Sequence, residues 1–369
     1  AMGDGATGYG GGWTANFGQR SFTYTAPTGF VALQQDNLPE TSKGIPDLVW
    51  IKNRDATDDH QLYDSTRGPL KVIEPNTTTL EETDTDGLQK FLVGGSSVED
   101  DARINTNGES YVSWNWVANG GTTSANTDGS GATLASTIQA NQTAGFSIVQ
   151  VTAPSSPSGT YKIAHGLGAA PEWIIGKNLE NSGGYNWSVY HHKVASDPAT
   201  DYLELNTSDA LADDATVWGD TTPTSSVFTI GTGVPLLANE KTIFYCWTSI
   251  PGYSKFGSYE GNANSNGPFI NLGFKPSLLI IKNIDRSVDW VIIDDIRNPN
   301  NVSSSSLLKP NANSTESEAS NQGIDLLSNG FKVKQSSSNA FNASSETHVY
   351  MAFAKHPFLG DGTNPATAK

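Results

Sequence analysis

Ala170-Pro171-Glu172-Trp173-Ile174-Ile175-Gly176-Lys177-Asn178 has two counterparts in the same chain. They are Ile45-Pro46-Asp47-Leu48-Val49-Trp50-Ile51-Lys52-Asn53 and Lys275-Pro276-Ser277-Leu278-Leu279-Ile280-Ile281-Lys282-Asn283. Each reads Pro, a short apolar run, then Lys-Asn. A short apolar run closed by turn residues predicts a strand. A pattern that returns three times predicts three copies of one unit.

The repeat continues downstream. His60-Gln61-Leu62-Tyr63-Asp64, Trp187-Ser188-Val189-Tyr190-His191 and Trp290-Val291-Ile292-Ile293-Asp294 each read as the second strand of a hairpin. A third landmark ends on Asn76, Asn206 and Asn311, at 24, 29 and 29 residues from the Lys of each copy. The fourth is an aromatic strand, aligned on Tyr111, Tyr245 and Tyr350 at 35, 39 and 39 residues from that Asn. Helical periodicity is scarce. The predicted fold is therefore all-β, built of tandem β-sandwich-like modules in three diverged copies of roughly 70 to 105 residues each.

The boundaries follow from the landmarks: an N-terminal segment at 1–40, repeat one at 41–119, repeat two at 145–251, repeat three at 252–358 and a fraying tail at 359–369. Residues 120–144 open on a Gly, Thr and Ser tract and read as a linker. The junction Ile250-Pro251-Gly252-Tyr253-Ser254-Lys255-Phe256-Gly257 is too aromatic for a loose tether, so copies two and three are expected to pack together.

Of 369 residues only 16% are charged, and 38 Asp plus Glu against 22 Lys plus Arg leave a formal charge of −16. That balance argues against a nucleic-acid backbone as partner, because counterion release needs clustered cations. The lone cysteine, Cys246, sits in the apolar run Phe244-Tyr245-Cys246-Trp247 and reads as a structural thiol. No apolar stretch reaches the ~20 residues that cross a bilayer, and membrane insertion is not expected. The start, Ala1-Met2-Gly3-Asp4-Gly5, lacks the pattern of a signal peptide, and Ala1-Met2 reads as a cloning remnant.

The Pro–apolar strand–Lys-Asn pattern, Asp294-Asp295-Ile296-Arg297-Asn298, Leu326-Leu327-Ser328-Asn329-Gly330-Phe331 and Gly252-Tyr253-Ser254-Lys255-Phe256-Gly257-Ser258-Tyr259 together resemble a repeat domain of marine and other phage tail proteins. That domain often follows a SPRY-like sandwich, and Trp13-Thr14-Ala15-Asn16-Phe17-Gly18-Gln19-Arg20-Ser21-Phe22-Thr23-Tyr24 is similar to the closing segment of one. The resemblance implies a virion tail-fibre component, extracellular, that binds a bacterial glycan or protein receptor and other tail proteins. It implies a homotrimer, as fibres commonly are. It carries over no active site.

Chemistry is sparse along the chain. There is no Gly-x-Ser-x-Gly, no His-Glu-x-x-His and no phosphate-binding Gly-x-x-x-x-Gly-Lys. No cofactor and no metal is expected; Asp84-Thr85-Asp86-Gly87 opens like a calcium loop but lacks the closing Glu. The pairs Asp100-Asp101, Asp213-Asp214 and Asp294-Asp295 have the residue types of a glycosidase acid and nucleophile. Asp64 and Asp294, each with an Arg three residues on, read better as turn-stabilising pairs. Positions shared by all copies serve the fold, whereas departures confined to one copy are free to bind. Trp187 and Trp290 are accordingly structural. His191, His192, Trp218 and Asp220 in copy two are the ligand-binding candidates, with Trp218 as a loop aromatic stacking on a sugar face. The expected function is receptor binding without catalysis. An architectural spacer and a glycan depolymerase are the alternatives.

Overall fold

The computed structural model describes residues 44–118, 124–126, 131–180, 183–233, 236–301, 305–318, 323–336 and 340–356. Within them the chain is all-β with one short helix. Copy one contributes β1 (Leu48–Asn53), β2 (Gln61–Asp64), β3 (Lys71–Ile73), β4 (Glu82–Thr83), β5 (Leu88–Leu92), β6 (Gly95–Val98), α1 (Ala102–Asn105) and β7 (Tyr111–Trp116). Next come β8 (Ser124–Asn126) and β9 (Ser136–Asn141).

Copy two holds β10 (Phe146–Thr152), β11 (Tyr161–Ala164), β12 (Trp173–Asn178), β13 (Ser188–His191), β14 (Asp201–Glu204), β15 (Ala212–Asp213), β16 (Val227–Ile230) and β17 (Lys241–Trp247). Copy three holds β18 (Ser254–Glu260), β19 (Phe269–Asn271), β20 (Pro276–Asn283), β21 (Val291–Asp294), β22 (Ser306–Leu307) and β23 (Ser317–Glu318). It ends with β24 (Ile324–Leu327), β25 (Gly330–Val333) and β26 (Thr347–Ala354).

Each copy has one main antiparallel sheet, ordered β4-β3-β2-β1-β7, β15-β14-β13-β12-β17-β10-β9-β8, and β18-β26-β20-β21. The Pro–apolar–Lys-Asn strand lies between its hairpin partner and the aromatic closing strand every time. Pairing register corrects one landmark. Trp50, Ile175 and Ile280 face Trp114, Tyr245 and Met351, so these three are the equivalent closing-strand positions. Tyr111 faces Asn53 and Tyr350 faces Ile281. Identity of residue type had aligned three tyrosines that sit at different places on the pleat.

The apolar runs are buried on both sides, and the two sides go to different cores. Outward, each main sheet packs against its own small sheet: β5-β6 in copy one, β11-β16 in copy two, β19-β25-β24 in copy three. That makes each copy sandwich-like. Inward, the sheets share one core, where Leu48, Trp50 and Trp116 meet Trp173, Trp187 and Trp247 from copy two and Leu278, Trp290 and Phe353 from copy three. Three sheets thus form the walls of a prism around a common interior.

Equivalent contacts close the prism in a ring. The backbone N–H of Glu81 donates to Leu179 O, Leu211 N–H to Ile284 O, and Glu316 N–H to Arg54 O, at 3.0, 2.8 and 2.8 Å. These join copies one to two, two to three and three to one. Asn76, Asn206 and Asn311 each accept the backbone N–H of the residue opening the second strand, His60, Trp187 and Trp290. Trp187 and Trp290 then donate their indole N–H to carbonyls of the neighbouring copy, Thr77 at 3.1 Å and Glu204 at 2.9 Å. His60 does the same toward Lys309 O at 3.0 Å. Its Nδ1 accepts from Trp50 Nε1, so the proton sits on Nε2. Copy one keeps its indole on the adjacent strand, where the other copies have Ile175 and Ile280.

The linker expected over 120–144 is corrected in part. β8 and β9 lie within it, and β9 pairs with β10 along Ser136 to Asn141. One face of β9 packs into the outer core of copy two, through Ile138. The expected N-terminal segment 1–40 and the tail 359–369 lie outside the described residues. No helix among the described residues is long and apolar enough to cross a membrane.

Candidate functional site

The four candidate residues of copy two do not form one site. Trp218 is buried at 1% exposure in the outer core, its ring 5.7 Å from that of Tyr190. The loop turns it inward at Gly219, φ +60°, where a Cβ would meet Thr160 and Thr229 methyls at 2.9 Å. A sugar cannot stack on it. Asp220 is exposed, also in a left-handed conformation, with its N–H on Ala215 O. His191 is fully buried on the inner face of the sheet, opposite to Tyr190 and Trp218. His192 is half-buried and bonds Phe256 O of copy three at 3.2 Å, with Glu172 4.0 Å away. Two of the four are core or inner-face residues, and a third bridges copies.

His191 belongs to a polar seam between copies. In copy one Asp64 pairs with Arg67, both essentially buried, and Arg67 reaches Glu81 and Leu62 O. Copy three repeats this with Asp294, Arg297, Glu316 and Ile292 O. Each Asp also accepts a donor from the next copy: Tyr245 Oη on Asp64 at 2.6 Å, Trp114 Nε1 on Asp294 at 3.3 Å. Copy three offers Met351 at the equivalent place, which has no hydrogen to donate. Copy two accordingly has His191 in place of the Asp, Val194 in place of the Arg and Leu211 in place of the Glu, and Val194 and Leu211 are part of the shared core or pack against it. A buried carboxylate without donor or cation would be costly, and the whole polar set is absent together.

Burial holds the imidazoles neutral. His60 is pushed down to about 3 by burial and then by the charge of Lys52, and His165 to about 4 by burial. His191 lies well below the usual histidine range, from burial first and His192 second. Lys177 and Lys282 are lowered to about 8 by burial, their ammonium groups held by backbone carbonyls that include Thr78 and Ser208 of the neighbouring copy. Cys246 is buried, with its thiol pushed up, as a structural cysteine should be.

Of the carboxylate pairs, Asp101, Asp214, Asp294 and Asp295 are engaged. Asp101 caps α1 and binds Arg103; Asp214 caps the turn at Thr216; Asp295 binds Ser277 and Lys355. Asp84 is buried, accepts from Tyr63 Oη at 2.6 Å and pairs with Arg103 at 3.4 Å. Asp86, Glu99 and Asp100 are exposed, with carboxylate oxygens within 4.8 Å of one another.

What remains as a candidate site is a groove of about 410 Å³ where copies one and three meet. One wall is the whole of β7, Tyr111 to Trp116; the other includes Tyr253, Leu278, Asp294, Ile296 and Phe353. β7 is the edge of its sheet among the described residues, whereas the equivalent β17 and β26 are interior strands. Ile296, on the rim, is 78% exposed. In the sequence, Tyr111-Val112-Ser113-Trp114-Asn115-Trp116 reads as a strand, without showing that it bounds the sheet. The signal for that was the strand-like run ahead of each later Pro landmark, at Phe146 and at Ser254, which repeat one as bounded does not contain.

Fold and groove together define an all-β protein of three internal repeats around one shared core, in which β7, unlike β17 and β26, is an edge strand among the described residues. The chain belongs to the family described as a domain of unknown function, DUF7483, whose model matches residues 33–357. No curated protein and no solved structure matches it.

Proposed function

We propose that this protein is a structural and receptor-binding component of a phage tail fibre, recognising a bacterial surface glycan without catalysis. The observation that carries this reading is the three-walled prism, in which His60, His191, His192, Asp64, Asp294 and the tryptophans of the shared core are engaged between copies, while Asp101, Asp214 and Asp295 are held within one. A body of that kind is suited to transmit load and present loops. The Ser-, Thr- and Asn-rich connections of an acidic surface offer hydroxyl and amide groups for sugars. The resemblance of the repeat to phage tail proteins supports the same assignment, with the virion tail as location.

Adsorption of the labelled chain to bacterial hosts of tailed phages, before and after removal of surface polysaccharide, tests it. Saturable binding that falls on stripping is the expected result. Absence of binding to every susceptible host would overturn the recognition half and leave an architectural spacer. The depolymerase reading has less support: Asp101, Asp214, Asp294 and Asp295 each have a structural partner, and Asp100 gathers with Asp86 and Glu99 on the exposed surface.

A further inference from the structure

Copy three departs from the other two at one corner of its main sheet. At the start of the central strand, copies one and two carry Asp47 and Glu172, which accept backbone N–H groups just after the closing strand, from Ala118 at 2.7 Å and Ser249 at 3.2 Å. Copy three has Ser277 there, and its carboxylate stands across from it as Asp295, in the turn after β21. Ser and Asp have exchanged places: Ser65 Oγ donates to Asp47 and Ser277 Oγ donates to Asp295, both at 2.7 Å. The second oxygen of Asp295 thereby meets a side chain, Lys355 Nζ at 2.5 Å, where Asp47 and Glu172 meet backbone.

Two lysines accompany the exchange. Pro276 pairs with Ala354, and Lys355 N–H donates to Lys275 O at 2.9 Å, so Lys275 and Lys355 stand opposite each other where the two strands end. Their counterparts are Ile45 and Ala118 in copy one, and Ala170 and Ser249 in copy two. Like charges directly opposite on antiparallel strands are destabilising. Asp295, 5% exposed, neutralises Lys355; Lys275 is exposed and its ammonium has no partner among the described residues.

The two lysines, Asp295 and Ile296 line a pocket of about 200 Å³ together with Asn298 and Asn301. The asparagines hold its wall. Asn298 bonds the carbonyls of Asp294 and Ser306 and accepts the Ser306 N–H, while Asn301 accepts the Leu326 N–H. Both oxygens of Asp295 are engaged as well, so what the pocket offers a ligand is ammonium hydrogens. Two ammonium groups against one carboxylate leave it a surplus positive charge, on a chain whose formal charge is −16. The same turn is covered in the other copies, Ser65 and Thr66 by Gln139 and His192 by the carbonyl of Phe256. Ile296, the counterpart of Thr66, is 78% exposed.

We propose that this pocket binds an acidic sugar residue, with its carboxylate or phosphate held between Lys275 and Lys355 and the apolar face of its ring on Ile296. This names the ligand class for surface-glycan recognition and rests on that reading of the protein. Charge-assisted hydrogen bonds from two ammonium groups are strong, and an anion between the lysines removes their repulsion. The pocket is smaller than the roughly 300 Å³ at which sites for drug-sized ligands begin, which suits one sugar residue of a longer chain.

NMR titration of the isotope-labelled full chain with glucuronate, glucose 6-phosphate, glucose and inorganic phosphate tests the proposal. The expected result is saturable shifts of the Lys275, Ile296 and Lys355 amides with an acidic sugar, at an affinity about tenfold or more above that for glucose. Which acidic sugar binds tells carboxylate from phosphate. Lys275→Glu removes no contact of the folded chain and should weaken that binding about tenfold or more, with Lys275→Arg restoring it. Ile296→Ser should weaken the sugar and leave inorganic phosphate unchanged. Inorganic phosphate binding as tightly as either acidic sugar would reduce the pocket to an adventitious ion only and overturn the proposal. So would the absence of saturable shifts, or binding indifferent to Lys275→Glu. Adsorption to host cells separates this from the wider reading. Equal adsorption of the unmodified chain and Lys275→Glu would overturn the pocket and keep glycan recognition, whereas sugar binding without adsorption would uphold the pocket and overturn host recognition.

Discussion

Asp64, His191 and Asp294 occupy one position of the repeat and show how a single residue is chosen by its neighbour in another copy. Where the neighbour is Tyr245 or Trp114, an Asp accepts from it and an Arg three residues on neutralises the Asp. Asp64→Ala leaves Arg67, 1% exposed, without its closest partner, and is expected to cost about 3–5 kcal/mol in denaturant unfolding. His191→Asp alone should destabilise by a similar amount. Adding Val194→Arg and Met351→Tyr should recover at least ~1.5 kcal/mol, the scale of one hydrogen bond to a charged group. A triple variant no more stable than His191→Asp would refute the logic of the seam.

The buried histidines set a pH dependence. Their folded values, about 3 for His60 and about 4 for His165, lie below the ordinary 6.5, so the unfolded chain takes up protons that the folded chain refuses. Stability should be intact above pH 6.5 and fall as pH drops toward 3 to 4, with each of His60, His165 and His191 adding up to about tenfold per pH unit to unfolding. His60→Gln should flatten that dependence in urea midpoints measured from pH 7 to 5. An unchanged slope would contradict the burial of neutral imidazole.

At the scale of elements, the strands were legible in the sequence because they are short apolar runs bounded by Pro, Asn and Gly, and the copies because landmarks recur in order. Asn76, Asn206 and Asn311 proved to be what the spacing suggested, one structural role repeated three times. The ring of copies was not legible. Its contacts join residues about 60 to 260 positions apart, and the chemistry changes at each turn, from Tyr245–Asp64 to Trp114–Asp294 to an apolar replacement. Trp218 was misread for a related reason: turn residues around it signalled a loop, while burial of its ring depends on Tyr190, 28 residues away. Trp218→Ala should therefore act as a core truncation, costing about 3–5 kcal/mol. A loss of cell binding at unchanged stability would restore it as a contact residue.

The whole molecule is three sandwich-like copies whose inner faces have no core of their own except the one they share. A trimer places three equal walls around an axis by association; here one chain supplies all three, and sequence divergence among them is free to differ at each junction. Such a body should fold as a unit instead of copy by copy, because no inner face is buried without the other two. Native-state hydrogen exchange of the chain bearing Leu62→Ala, a truncation on the inner face of copy one, tests this most directly. The closed prism predicts that β1, β12 and β20 all lose protection by the same amount, about 2–5 kcal/mol. Loss confined to β1 and its sheet, with β12 and β20 unchanged, would mean that the copies are independent modules and would contradict the shared core.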